Sequence, residues 1–174
     1  CGIAGIVWAD TERRSPPGLI ERLTDPLRHR GPDGFGYHED RGFSFGHRRL
    51  SIIDLAGGAQ PLSNEDGSVW VTFNGEIYNF QSLRNELLAK GHKFRTDCDT
   101  EVLVHLYEEH GTNMLASLRG MFAFGIWDNR KKTLFLARDR LGVKPLVYWQ
   151  DDQGLRFASE LKGLLGEPGF PKEV

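Results

Sequence analysis

Strand-sized apolar runs stand at both ends of this chain and two helical stretches lie between them, an order that argues against a parallel βαβ array and for an α+β domain on antiparallel sheets. Ile3, Ile6, Val7 and Trp8 read as a first strand, with Gly2 and Gly5 leaving room for close backbone approach. Leu19, Ile20, Leu23 and Leu27 follow at helical spacing, with a kink or restart expected at Pro26. Residues 43–46, 50–53 and 69–73 are strand-like, and 56–66, rich in Gly, Pro, Asn and Asp, reads as loop. The central helices carry Leu83, Leu87 and Leu88 after a capping Asn79, and Val102, Leu103, Leu106 and Tyr107 after a capping Asp99. Gly91 and Gly111 are their stop signals, and Met114, Leu115 and Leu118 add a further helical turn or two. Four more strands follow at 121–127, 133–137, 146–149 and 155–158. The connectors 128–132 and 150–154 are short enough to join antiparallel neighbours. Ser159 is placed to cap a last helix with Leu161, Leu164 and Leu165. The domain is therefore expected over 1–165, with 166–174 opening a linker.

With 174 residues, 39% of them hydrophobic, the chain can build one ordinary core. A net charge of -2 gives no electrostatic reason to expect nucleic acid or an anionic membrane as partner. The apolar runs are too short for a transmembrane span, and the start lacks the basic flank of a signal peptide. Two widely separated cysteines, Cys1 and Cys98, fit a reducing compartment better than a disulfide framework, so a cytoplasmic location is expected. Cys98 reads as a small buried residue. The six histidines fall into no metal-ligand spacing, and no metal is expected.

The numbering begins on a cysteine. If Cys1 starts the mature chain, it carries its own base: the thiol has a reference pKa of about 8.5 and the α-amine one of about 7.7–8.0. Nucleophile and proton acceptor then share one residue. A cysteine merely exposed by removal of an initiator methionine is the plainer explanation of that residue taken alone. Consecutive residues of an extended segment point to opposite faces, so Arg48 and Arg49 cannot serve one surface; Arg48 reads as solvated, and one of the two can enter a pocket. Asn74-Gly75 is a hairpin signal, and equally a pair of donors for a developing oxyanion; spacing alone leaves both open. Likewise, 28–34 reads locally as plain helix termination.

Taken together, Cys1-Gly2-Ile3-Ala4-Gly5, Arg28-His29-Arg30-Gly31-Pro32-Asp33, His47-Arg48-Arg49-Leu50-Ser51-Ile52-Ile53-Asp54, Phe73-Asn74-Gly75-Glu76-Ile77-Tyr78-Asn79, Asp99-Thr100-Glu101 and the run from Arg138 to Leu146 resemble the class II glutamine amidotransferase domain of glutamine-hydrolysing asparagine synthetases. The resemblance implies an N-terminal nucleophile hydrolase fold, two stacked antiparallel sheets flanked by helices. It implies that Cys1 is exposed by methionine removal and attacks the side-chain amide of L-glutamine, giving a γ-glutamyl thioester and then glutamate and ammonia. By the same resemblance Asn74 and Gly75 hold the oxyanion, Arg49 grips the α-carboxylate, Asp99 assisted by Glu76 takes the α-ammonium, and Leu50 and Ile52 complete the substrate site. Asp97 is the alternative to Asp99, which keeps the Asp-x-Glu spacing.

The resemblance further implies that ammonia passes to a synthetase domain of the same polypeptide, where ATP and Mg act, and it admits a homodimer of the full-length enzyme. This sequence has no Ser-Gly-Gly-x-Asp-Ser loop, its Gly57-Gly58 lacking the following Asp and Ser, and no Walker-type loop. No cofactor is therefore expected in this domain. Two rival readings stand beside this one: an amidotransferase domain serving a different ammonia acceptor, and a catalytically silent docking domain.

Overall fold

A computed structural model describes residues 1–50 and 58–171. Nine strands form two antiparallel sheets. The first sheet contains β1 (Gly2–Trp8), β2 (Gly34–Asp40), β3 (Phe43–Arg49), β8 (Val147–Asp151) and β9 (Gly154–Ala158), in the order β2-β3-β1-β9-β8. The second contains β4 (Leu62–Ser63), β5 (Val69–Ile77), β6 (Gly120–Asp128) and β7 (Thr133–Arg138), in that order. Helices α1 (Leu19–Thr24) and α4 (Leu161–Leu164) cover the outer face of the first sheet, and α2 (Phe80–Ala89) and α3 (Asp99–His110) that of the second. The result is an α-β-β-α sandwich.

Three apolar layers hold it. Ile3, Phe43, Phe45, Ala123, Trp127 and Phe157 fill the space between the sheets. Ala4, Ile6 and Trp8, on the other face of β1, pack with Ile20, Leu23 and Leu27 under α1. Successive residues of a strand face opposite ways, so β1 is apolar throughout because both its faces are covered. Phe157 explains two glycines: a Cβ at Gly5 would lie 2.2 Å from its ring and one at Gly125 2.6 Å. The ring occupies the volume those side chains would take.

Several local expectations give way to tertiary packing. Residues 43–49 form one strand, with His47, Arg48 and Arg49 inside it. Of the strand expected at 50–53, Leu50 follows the end of β3 and 51–53 lie outside the described residues, as do the first two residues of the 56–66 loop. Strand β2 carries two glycines and several polar residues and owes its conformation to pairing along β3 rather than to propensity. The short β4 interrupts the expected loop. Residues Asp25–Arg30 and Gly111–Ala116 are 3₁₀ turns, the first holding Pro26 near its start. The expected caps are used elsewhere. Asn79 donates to the Ser117 carbonyl and accepts from the Arg119 N–H, Cys98 precedes α3 in place of Asp99, and the Ser159 hydroxyl accepts from the Ile3 N–H at 2.9 Å. That last bond and the return bond from Ser159 N–H to the Ile3 carbonyl pin the start of β1.

Residues 166–170 still pack on the domain. Glu167 is buried 3.6 Å from Arg156, and Phe170 stands edge-on to Trp149. Among the described residues no helix is long and apolar enough to cross a membrane.

Candidate active site

The start of β1, the end of β3, the second half of β5 and the start of α3 meet around a cavity of about 340 Å³, the size of a small-molecule pocket. Cys1, Arg49, Leu50, Asn74, Gly75, Glu76, Asp97 and Asp99 all line it. Ile52 lies outside the described residues. Asn74-Gly75 is not a hairpin tip: both residues sit inside β5, which continues to Ile77 paired with β6. A Cβ at position 75 would meet the Met121 carbonyl oxygen at 2.2 Å, so the neighbouring strand demands glycine there.

Cys1 is held by its backbone. Arg30 Nε donates to the Cys1 carbonyl at 3.0 Å, while Arg30 Nη1 is anchored on Glu160 at 2.8 Å. Among the described residues the thiol makes two long contacts, accepting from the Leu50 N–H at 3.5 Å and donating to the Leu50 carbonyl at 3.9 Å, and it lines the cavity. The Cys1 amine is pushed down to about 6, first by burial and then by the positive charges of Arg30 and Lys144. At neutral pH it is mainly the free base.

Asn74 is 2% exposed, and its Nδ2 has no hydrogen-bond partner among the described residues. A buried amide donor left unpaired costs about 1–3 kcal/mol, and Asn74 is one of the residues that line the cavity. Arg49 and Arg48 separate as the strand pleat requires. Arg49 lines the cavity beside Gly58, whereas Arg48 pairs with Asp25 and lies over Phe35. The expected solvated Arg48 is in fact largely covered, its side chain 12% exposed.

The two candidate aspartates differ sharply. Asp97 is 91% exposed and ion-paired with Arg84 at 3.1 Å. Asp99 accepts from the Ile77 N–H at 2.9 Å, and burial pushes its carboxyl up despite that bond, with the nearby Glu76 charge adding to the rise. A carboxylate held in this way has most to gain from a cation. Cys98 is half-buried on the same wall, not in the core.

Four lining or supporting residues escaped the local reading. His47 is fully buried, donates its Nε2 proton to the Phe73 carbonyl at 3.2 Å, and is pushed down to about 3 by burial and by the neighbouring amine and Arg49. Gln60 accepts from the Phe73 N–H at 2.7 Å and so braces β5 beside Asn74. Lys144 closes one side, and Arg30 holds Cys1. Their only sequence signal is membership of quoted motifs for Arg30, His47 and Lys144; Gln60 has none, because its role depends on a pairing distant in sequence. Among the described residues, the one group of three spaced to hold a metal is His92, His105 and Glu108, and none of these lines the cavity.

A family model described as a glutamine amidotransferase domain matches residues 1–174. The chain is 45% identical to asparagine synthetase [glutamine-hydrolyzing] 2 of Bacillus subtilis over 99% of its own length and 23% of that protein's. It is 47% identical to asparagine synthetase [glutamine-hydrolyzing] 2 of Arabidopsis thaliana, over 94% and 28%. The glutamine phosphoribosylpyrophosphate amidotransferase of B. subtilis, solved with ADP and GMP, superposes with a TM-score of 0.74 at 26% identity, covering 94% of this chain and 43% of that one. The sandwich is thus of the N-terminal nucleophile hydrolase type. The chain spans about a quarter of the length of these synthetases. It belongs to the glutamine amidotransferase domain family and is homologous to part of the glutamine-hydrolysing asparagine synthetases.

Proposed function

We propose that Cys1 is the mature N-terminus and that this domain hydrolyses L-glutamine to glutamate and ammonia. The observation that carries the reading is one cavity lined by a thiol whose own amine is largely unprotonated at pH 7, a buried amide donor unpaired among the described residues, an arginine and a partly desolvated carboxylate. The Cys1 amine takes the thiol proton, and the thiolate attacks the glutamine amide carbon. Asn74 Nδ2, with the Gly75 N–H, receives the charge that develops on the amide oxygen. The protonated amine then protonates departing ammonia, leaving a γ-glutamyl thioester for water to hydrolyse. Arg49 takes the α-carboxylate through its planar fork, and Asp99 with Glu76 takes the α-ammonium. Leu50 lines the same wall. No cofactor enters these steps.

Identity of 45–47% to asparagine synthetases, against 26% to the phosphoribosylpyrophosphate enzyme, supports aspartate chemistry as the destination of the ammonia. A synthetase domain of the same polypeptide would use ATP and Mg there. We place the full-length enzyme in the cytoplasm, in keeping with two free cysteines, and as a homodimer.

The test is glutamate release from L-glutamine by this polypeptide; no release above background from a folded sample would refute the reading. In the same assay Arg49→Ala raises KM by about tenfold or more with a smaller effect on kcat, because the carboxylate clamp contributes to substrate binding in ground and transition states alike. An unchanged KM would assign the clamp to another cation.

The pH profile has a definite sign. The free amine is the active form, so kcat/KM falls as pH drops below about 6 instead of below the ordinary ~7.7–8.0 of an α-amine. Arg30→Gln removes a positive charge that opposes the ammonium and shifts this acid limb upward. A parent limb near 8, or a limb that stays put in the variant, would contradict the assignment of the base.

A further inference from the structure

The connector after α2, helix α3 and the turn between β4 and β5 bring four potential ligands together on the side of the second sheet away from Cys1. His92 Nδ1 lies 3.2 Å from His105 Nδ1 and 3.7 Å from Glu108 Oε2, and His105 Nδ1 lies 3.1 Å from that same oxygen. Glu65 Oε2 is 3.9 Å from His105 Nδ1. Ligands at ~2.0–2.1 Å around a tetrahedral zinc ion stand ~3.3 Å apart, so the three shorter separations describe one face of such a tetrahedron. Glu65, 40% exposed and outside the group of three whose ligand atoms all lie within 4.8 Å of one another, has to swing inward to take the fourth corner.

The surrounding hydrogen bonds turn lone pairs of His92, Glu108 and Glu65 toward the centre. His92 Nε2 faces Glu109 Oε1 at 3.0 Å, which fixes its proton on that nitrogen and leaves Nδ1 bare. His105 is fully buried; the carboxylate nearest its Nε2 is that of Glu101, at 3.7 Å, and this nitrogen has no hydrogen-bond partner among the described residues. Asn64 Nδ2 donates to Glu108 Oε1 at 2.7 Å and the Lys93 N–H to Glu65 Oε1 at 3.1 Å, each leaving the other carboxylate oxygen for the centre. A hydrogen-bond partner on the far side of His92, Glu108 and Glu65 is the arrangement that orients metal-binding side chains. Two imidazole nitrogens 3.2 Å apart beside a carboxylate oxygen share a proton when no metal is bound, and the same three atoms have the donor types and spacing that zinc takes.

We propose that His92, His105 and Glu108, with Glu65 as fourth ligand, form a zinc site separate from the glutamine pocket. Its effect is to staple three segments. Glu101, next to the site on α3, accepts from the Arg95 N–H, the Thr96 N–H and the Thr96 hydroxyl, so the ion stiffens the connector that leads into Asp99. The histidines and acids are scattered over 65–108, which is why no ligand motif is visible in the sequence.

The experiment is zinc titration of the chelator-treated chain, followed by elemental analysis and X-ray absorption at the zinc edge. One zinc per chain is expected, with an N/O shell containing two imidazoles and no sulfur, and with a raised thermal midpoint. Glu108→Gln and His92→Ala lose the bound zinc, while Cys1→Ala/Cys98→Ser keeps it. Less than a tenth of an equivalent retained by the folded parent would leave a proton-bridged cluster and overturn the proposal. So would sulfur in the shell, or zinc lost with the cysteines and kept by the Glu108 variant. The absorption spectrum decides the matter on the parent alone should either site variant fail to fold.

Discussion

Cys1→Ala releases no glutamate above background, while L-glutamine still binds. The two halves of this result have separate causes. The thiol is the only group in the proposed chemistry able to form the acyl intermediate, so its loss removes the reaction path rather than slowing one step. Arg49 and Asp99, the groups proposed to hold the two ends of the amino acid, stand on β3 and α3 and do not depend on the sulfur for their positions. Calorimetry should therefore find a dissociation constant within a few-fold of the parent's KM, at substrate concentrations where glutamate release is nil. The thermal midpoint should hardly move, because the Sγ contacts are long ones to the Leu50 backbone. Equal release from parent and variant would remove Cys1 from the mechanism, and lost binding would mean that the thiol shapes the pocket.

The second large effect falls on Asn74. Its Nδ2 is buried without a partner among the described residues, a cost that the fold tolerates and that an oxyanion would relieve. Asn74→Ala should lower kcat by about 10²–10³, the usual consequence of deleting one oxyanion donor, with little change in KM. The variant should lose little stability toward urea, since the deleted Nδ2 has no hydrogen-bond partner among the described residues and relief of its desolvation cost, about 1–3 kcal/mol, offsets the packing lost with the side chain. Activity falling while stability holds is the signature of a group kept for function. A parallel fall in both would make Asn74 a structural residue of β5.

The fold was legible where local signals coincide with burial. β1 is apolar on both faces because it lies between a helix layer and a second sheet, and β6, β7 and β9 announce themselves in the same way. β2 did not, because an edge strand of glycines and polar residues takes its shape from β3. Asn74-Gly75 shows the limit most clearly. As a dipeptide it signals a turn, yet the backbone of β6 at Met121 forces glycine into a continuing strand. Asp99 is a second case, standing where helix-capping residues belong while its carboxylate serves the Ile77 N–H instead. Such positions break a local rule where a site is being built. The family resemblance brought these residues to one place before the geometry did, but it had nothing to say about Gln60, whose contact with β5 is set by a loop that carries no motif.

The central claim is that thiol and base belong to the same residue. It is tested most directly by glutamate release from two otherwise identical chains, one beginning at Cys1 and one with a single glycine ahead of it, their termini verified by intact mass. The extension leaves the sulfur and the rest of the pocket in place and converts the amine into an amide that accepts no proton. The expected result is loss of turnover in the extended chain, and equal turnover in the two would contradict the claim.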